Sequence, residues 1–182
     1  MPKIMQQPVP EFVKPYFKAA GIRIKKFVSA PSFEKSLKKF LARNHVLHLG
    51  TCKGRVPRVT PLEYRPNGLT CYILSEGGGK FANLKENKRV SFGIAEPYDS
   101  RADFFGNKGM QAWGMATVYS LRDEPAKFQA PLKKMNAAKG CHKIYIKNLF
   151  PQFNYRIIAI IPDKIKYCNP REGVFQVVWT RK

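Results

Sequence analysis

The segment 75–80 holds the residue types that most directly suggest chemistry. Three consecutive glycines at 77–79 precede Lys80, which begins a predicted helix over 80–86. Glycines let backbone N–H groups approach an anion closely, and a helix N-terminus adds unpaired N–H groups and a positive dipole. We predict a phosphate-binding loop here; the alternative is a flexible loop with a solvated lysine. A nucleotide P-loop is excluded, because that motif needs Ser or Thr after the Lys and Phe81 follows.

Arg58 is a second candidate for anion binding. Strand alternation places Arg58 on the same face as Thr60, and an arginine can hold a phosphate through two parallel hydrogen bonds. The alternative is a solvent-facing arginine on a basic protein. Asn67-Gly68 predicts a hairpin between the second and third strands, which brings Arg58 and the glycine loop to the same end of the sheet.

Other reactive side chains do not form a recognisable site. His45 and His48 flank a strand, but no third metal ligand lies near them in sequence. Cys141 and His142 are adjacent, and sequence neighbours rarely reach the geometry of a nucleophile and its base. We predict no metal site, and the sequence identifies no catalytic acid or base.

The elements that position these residues are mainly short strands. An apolar repeat predicts an amphipathic helix over 33–43, because Phe33, Leu37, Phe40 and Leu41 recur at helical spacing. Further helices are predicted over 80–86 and 125–138. The sequence predicts strands over 46–51, 56–64, 69–74, 89–95, 110–121, 154–161 and 174–179. This pattern indicates a mainly β fold: an antiparallel barrel with helices packed outside it.

Composition limits the classes of protein to which the chain can belong. Its 182 residues predict one globular domain over 31–182, preceded by a basic extension over 1–30 that four prolines interrupt. With 33 basic and 12 acidic residues, the net charge of +21 implies an anionic partner. No apolar run approaches the length of a membrane span. Four scattered cysteines and the lack of a signal core predict a reduced, cytoplasmic protein.

The order of these motifs resembles the FMN-binding split-barrel family related to pyridoxamine 5′-phosphate oxidase. The similarity covers residues 33–121 well and the C-terminal strands loosely. The segments that carry it are Val46-Leu47-His48-Leu49-Gly50-Thr51, Val56-Pro57-Arg58-Val59-Thr60-Pro61, Leu69-Thr70-Cys71-Tyr72-Ile73-Leu74-Ser75, Lys80-Phe81-Ala82-Asn83-Leu84, Asn87-Lys88-Arg89-Val90-Ser91-Phe92 and Gln111-Ala112-Trp113-Gly114-Met115-Ala116. The resemblance implies a six-stranded antiparallel split β-barrel that forms a homodimer.

In such proteins FMN lies in a groove between the two subunits. The resemblance implies that Arg58 and Lys80 bind the FMN phosphate beside Gly79. The residues implied along the isoalloxazine ring, largely through their backbone, are Val59, Thr60 and Pro61. Those implied beside the ribityl chain are Ile73, Leu74 and Ser75. Gln111 would reach the cofactor from the partner subunit.

Some positions depart from the oxidase pattern. A basic residue often precedes the lysine, and Gly79 stands there; Glu63 replaces another basic residue. The C-terminal Arg-x-His of the oxidases is missing, so we expect a substrate other than pyridoxamine phosphate. Some relatives bind a deazaflavin or haem, and these remain alternatives to FMN. The electron donor would be a nicotinamide or another small molecule.

Two other kinds of function remain open. The basic runs 23–26, 35–39 and 133–143 favour sequence-independent nucleic-acid binding by a barrel without catalysis. The sequence lacks the aromatic–glycine signatures of an RNA-binding sheet, which weakens that hypothesis. A flavin carrier or redox sensor without turnover is the other alternative.

Overall fold

The computed structural model describes residues 1–181 and consists of one large antiparallel sheet with helices packed against it. Its strands are β1 (Lys3–Gln7), β2 (Val46–Lys53), β3 (Val56–Glu63), β4 (Arg65–Asn67), β5 (Thr70–Ser75), β6 (Arg89–Ala95), β7 (Gly109–Ser120), β8 (Arg156–Asn169) and β9 (Val174–Thr180). Its α-helices are α1 (Lys14–Ala19), α2 (Ala30–Arg43), α3 (Lys80–Glu86) and α4 (Pro125–Asn136). The prediction of a mainly β, antiparallel fold with outer helices is confirmed.

The strands follow the order β1-β9-β8-β7-β6-β2-β3, and β5 pairs with the part of the β9-facing edge of β8 that β9 does not cover. β8 is long enough to pair with β5 through its first half and with β9 through its second half. The six segments β2, β3–β4, β5, β8, β7 and β6 surround the main core. The sheet stays open, since β3 is bonded to β2 along one edge and its other edge has no strand partner within residues 1–181.

The predicted hairpin at Asn67-Gly68 is shorter than expected. Only β4 pairs with β5 there, in the register Arg65↔Tyr72 to Asn67↔Thr70, whereas β3 pairs with β2 alone. Buried Tyr64 separates β3 from β4, and its hydroxyl donates to the Leu41 carbonyl at 2.8 Å. The chain changes direction at Tyr64, so the predicted strand over 56–64 and the third strand do not form one continuous hairpin.

β8 extends eight residues beyond the strand predicted over 154–161. The predicted strand stops just before Pro162, a residue type that removes a ladder hydrogen bond. In the structure Pro162 lies at a bulge, where the β7–β8 register shifts between Trp113 and Gly114. A Cβ on Gly114 would lie 2.2 Å from the Ile161 carbonyl oxygen. The bulge thus allows proline inside the strand, and close backbone approach requires glycine opposite it.

The helix α2 covers the sheet through the face that its apolar repeat defines. Phe33, Leu37, Phe40 and Leu41 are all at most 2% exposed, as predicted. Burying each such side chain contributes about 1.5–3 kcal/mol. The helix begins three residues earlier than expected, where the Ser29 hydroxyl accepts the Ser32 N–H at 3.4 Å.

Residues 1–30 pack onto the sheet. β1 pairs with β9 from Lys3↔Thr180 to Gln7↔Gln176, a strand that the sequence did not predict. Phe17 of α1 is buried and meets the Phe105 ring edge-on, with centroids 5.1 Å apart. Within residues 1–181, none of the helices combines the length and apolar character needed to cross a bilayer.

Candidate functional site

The register of β2 and β3 decides which way Arg58 faces. Arg58 stands directly opposite Thr51, and opposite residues of an antiparallel pair share one face. Thr51 is buried, and its hydroxyl accepts a hydrogen bond from Asn83 Nδ2 of α3 at 3.0 Å. Arg58 therefore lies on the face of the sheet against which α3 packs.

The guanidinium group of Arg58 reaches the glycine loop. A Cβ atom built on Gly79 would lie 3.0 Å from Arg58 Nη2 and 3.1 Å from both Cζ and Nε. Gly79 has a φ of −61°, which any residue can adopt. A side chain at this position would therefore have to displace the end of the flexible Arg58 side chain, whereas the backbone conformation would accept it.

Lys80 lies in the same cluster. It is the first residue of α3, and only 5% of it is exposed. Its ammonium group donates to the Gly77 carbonyl and lies 4.8 Å from the centre of the Phe81 ring. A Cβ on Gly78 would be 3.3 Å from Lys80 Nζ. Arg58 and Lys80 thus meet at one loop, as the sequence predicted.

The third cation of the cluster, Arg156, was missed by the sequence analysis. It begins β8, opposite Ser75 of β5, and its guanidinium carbon lies 4.5 Å from the centre of the Phe81 ring. Lys80 Nζ lies over the same ring. The predicted strand included Arg156, but only the β5–β8 pairing, about 80 residues apart in sequence, shows that it borders the glycine loop.

The cluster brings three cations together near one carboxylate, and the ammonium group of Lys80 is partly desolvated. Burial lowers the pKa of the Lys80 ammonium below 10.5, the Glu76 carboxylate raises that pKa, and Arg58 and Arg156 lower it further. An anion with two charges would relieve the repulsion among the three cations. The cluster is therefore complementary in charge to a dianion.

Two adjoining hollows form a groove along the sheet, and Arg58 is the member of the cluster that lines it. One hollow of 350 Å³ is lined by Arg58 and Val59 of β3 and by Trp113 of β7. An adjoining hollow of 190 Å³ is lined by Val59, Trp113 and Gln111. Gln111 and Val59 thus border the same groove within a single protomer. The family resemblance had implied that Gln111 would reach the cofactor from the partner subunit.

The other predicted site residues differ in accessibility. Thr60 is half-buried opposite Leu49, and Pro61 is exposed opposite His48. Ser75 is buried, with its hydroxyl 3.4 Å from the Gly77 carbonyl. Leu74 is half-buried, and Ile73 is fully buried in the main core. Ile73 therefore has only its backbone available for a ligand.

Two more cations lie beside the groove, and the sequence analysis did not select them. Lys164 and Lys166 of β8 place their ammonium groups 5.5 and 5.9 Å from the Trp113 ring. Lys166 stands opposite Gln111 in the β7–β8 register. Because Lys164 and Lys166 are two residues apart on one strand, alternation of side chains predicts that both lie on the same face.

An open antiparallel sheet of this order, with a cationic cluster that borders a groove through Arg58, defines a split-barrel protein. The chain belongs to the pyridoxamine 5′-phosphate oxidase family, whose model matches residues 33–169. No curated protein matches the chain.

Solved structures share the fold at low sequence identity. A heme binding protein from Mycobacterium smegmatis is 19% identical with a TM-score of 0.58, covering 84% of this chain and 59% of that one. A conserved hypothetical protein from Mycobacterium tuberculosis is 15% identical with a TM-score of 0.58, covering 83% and 91%. A protein of Clostridium acetobutylicum related to general stress protein 26 is 12% identical with a TM-score of 0.57, covering 82% and 94%.

Proposed function

We propose that the protein is a homodimeric flavoprotein that binds FMN and acts as an oxidoreductase. The observation that carries this proposal is the contact of the Arg58 guanidinium with Gly79, next to the buried ammonium of Lys80. This arrangement leaves a strongly cationic, partly desolvated position next to a groove that Arg58 lines together with Val59, Trp113 and polar residues such as Arg89 and Gln111.

The charges fit the phosphate of FMN. Arg58, Lys80 and Arg156 supply three positive charges, against one carboxylate from Glu76. A phosphate monoester carries about two negative charges at neutral pH and accepts several charge-assisted hydrogen bonds. Riboflavin lacks this group, so the cluster would favour FMN over riboflavin.

The ring system of FMN fits the groove next to the cluster. β3 is an edge strand, and Val59, Thr60 and Pro61 are within it. The free backbone edge of such a strand offers polar groups to a planar ring system. The ribityl chain would pass the backbone of Ile73 and Leu74 and the buried Ser75, and Gln111 would lie at the far end of the ring.

The proposed dimer covers an exposed apolar surface. Val59, Met115 and Ile161 are 67%, 42% and 45% exposed, and they belong to strands next to the groove. Met115 and Ile161 stand opposite each other in the β7–β8 register. A second copy of the chain packed here would bury these side chains and enclose the groove.

FMN, when bound, supplies a hydride acceptor, and the protein supplies position and electrostatics. Lys164 and Lys166 beside Trp113 make the groove more positive, which favours an electron-rich ligand. The proposed electron donor is a nicotinamide or another small molecule. A substrate other than pyridoxamine phosphate is proposed, because the chain lacks the C-terminal Arg-x-His of the oxidases.

Absorbance and binding measurements test the cofactor. The purified protein should be yellow, with a band near about 450 nm, and should bind FMN more tightly than riboflavin. In the double variant Arg58→Ala/Lys80→Ala, FMN affinity should fall to the level of riboflavin, with riboflavin affinity unchanged. A matched control is Arg55→Ala/Lys85→Ala, which removes two exposed cations nearby and should keep the preference for FMN.

Two results would overturn this assignment. One is a double variant that keeps the full preference for FMN, which would show that the phosphate does not bind at this cluster. The other is a Soret band near about 400 nm in place of flavin absorbance, which would assign haem. Oxidation of a nicotinamide by the FMN-loaded protein separates an oxidoreductase from a flavin carrier or sensor.

A further inference from the structure

Two basic runs that lie a hundred residues apart in sequence line one groove, on a part of the surface separate from the flavin groove. The groove, of about 790 Å³, runs between α2 and the segment that follows α4. Lys35, Lys38 and Lys39 of α2 border it on one side, and Lys139 borders it on the other. It shares no lining residue with the hollows beside Arg58 and Gln111.

The α2 side of the groove owes its charge to helical periodicity. The apolar residues of α2 face the core, which leaves its lysines on the opposite, exposed face. Lys38 lies 3.8 Å from Glu34, and Glu34 also accepts a hydrogen bond from Trp179 Nε1. Within the part of the chain that the structure describes, Lys35 and Lys39 form no ion pair.

The opposite side is a loop that several hydrogen bonds hold in place. The Asn136 side chain bonds the backbone of Ile144 twice, at 2.7 and 2.8 Å, and so closes the loop that carries Lys139. Arg65 Nη1 donates to the carbonyl of His142 in the same loop. Asn67 Nδ2 donates to the Lys134 carbonyl at 3.1 Å and so fixes the end of α4.

A buried arginine adds positive charge next to this loop. Arg65 has a side chain that is 9% exposed, and its nearest carboxylate, Glu63, lies 3.8 Å away and is 70% exposed. Its buried Nε finds no hydrogen-bond partner among residues 1–181. The groove is therefore cationic on both sides and next to a further, weakly compensated charge.

We propose that this groove binds a nucleic-acid strand through its phosphates, independently of base sequence. Cations on two facing sides of the groove fit a linear polyanion that lies between them. A flat bilayer would contact only the outer edges of the groove. The apolar part of the lining consists of small residues and prolines, and it contains no Phe, Tyr or Trp; the His45 imidazole is the one aromatic ring there on which a base could stack. Binding is thus mainly electrostatic, and it should weaken steeply with salt.

The test measures fluorescence anisotropy of a labelled oligouridine with the full-length protein over a range of salt concentrations. The groove variant is Lys35→Gln/Lys39→Gln/Lys139→Gln, and the matched control is Lys18→Gln/Lys26→Gln/Lys147→Gln, which removes three exposed lysines elsewhere. The groove variant should lose about tenfold or more in affinity, and its log–log salt slope should become shallower by about 2. The control variant should lose less than about threefold.

Equal losses in both variants would overturn the proposal, since diffuse surface charge would then explain binding. Competition by polyglutamate as strong as that by unlabelled oligouridine would also overturn it. So would wild-type protein that binds anionic vesicles and no oligonucleotide. Flavin content and the thermal melting curve of each variant show whether the fold survives, and the outcome does not depend on whether FMN binds.

Discussion

The guanidinium group of Arg58 lies so close to Gly79 that a Cβ there would be 3.0 Å from Nη2. The two residues are 21 positions apart and belong to different elements, the edge strand β3 and the turn before α3. Their contact brings the charge of Arg58 to the loop whose Gly77 carbonyl holds Lys80. It is the geometric basis of the proposed phosphate site.

Replacing Gly79 should weaken the proposed FMN binding without unfolding the protein. In Gly79→Ala the new methyl group must displace the end of the flexible Arg58 side chain, while the backbone at φ −61° accepts alanine. We expect FMN affinity to fall about tenfold, or about 1.4 kcal/mol, in flavin fluorescence titrations. Gly77→Ala is the control, because a Cβ there meets nothing within 4 Å. Equal losses in both variants would contradict the prediction.

FMN affinity should decrease at alkaline pH through Lys80. Burial and the neighbouring arginines lower the pKa of Lys80 in the free protein below 10.5, and a bound phosphate would raise that pKa again. Binding therefore takes up a proton when the pH lies between the two pKa values, and affinity falls as the pH rises through that window. Titrations from neutral pH to about 10.5 measure this fall. Riboflavin affinity should stay flat over the same range; a parallel fall would point to the ring site instead.

The proposed dimer should separate when its apolar surface becomes polar. The double variant Met115→Lys/Ile161→Glu places opposite charges at directly paired positions, which preserves the β7–β8 pairing. We expect a monomer in sedimentation experiments and weaker FMN retention. Val28→Glu, at a residue that is 93% exposed and lies outside the strands, should leave the assembly unchanged. A double variant that sediments as wild type does would place any interface elsewhere.

Gly114 should be the least replaceable glycine of the β7–β8 ladder. A methyl group there would lie 2.2 Å from the Ile161 carbonyl oxygen and 2.7 Å from Pro162 Cα, so two strand backbones would have to separate. Gly114→Ala should lower the free energy of unfolding by about 3 kcal/mol or more. Gly93→Ala, whose Cβ would meet only the Met110 carbonyl oxygen at 3.9 Å, should change it by less than about 1 kcal/mol. Thermal and urea unfolding compare the two variants.

Several features of the fold and site were predictable from local patterns. The repeat in α2 predicted which side chains are buried, and α3 has the bounds expected from the sequence. Pro57 and Pro61 fit the edge position of β3, because proline has no N–H to donate to a second neighbouring strand. Lys80 was selected for its position after the glycines and Arg58 for its strand face shared with Thr60, and the two proved to be neighbours. These features depend on interactions within a few residues, which local sequence records.

Other features depend on how distant segments pair, and only the tertiary structure decided them. Arg156 joins the phosphate cluster because β8 pairs with β5, and Lys139 faces α2 because hydrogen bonds from Arg65 and Asn136 hold its loop. β1 forms as a strand because β9 offers it an edge. Burial and ladder hydrogen bonds between residues far apart in sequence stabilise these arrangements, and no local periodicity encodes such partners.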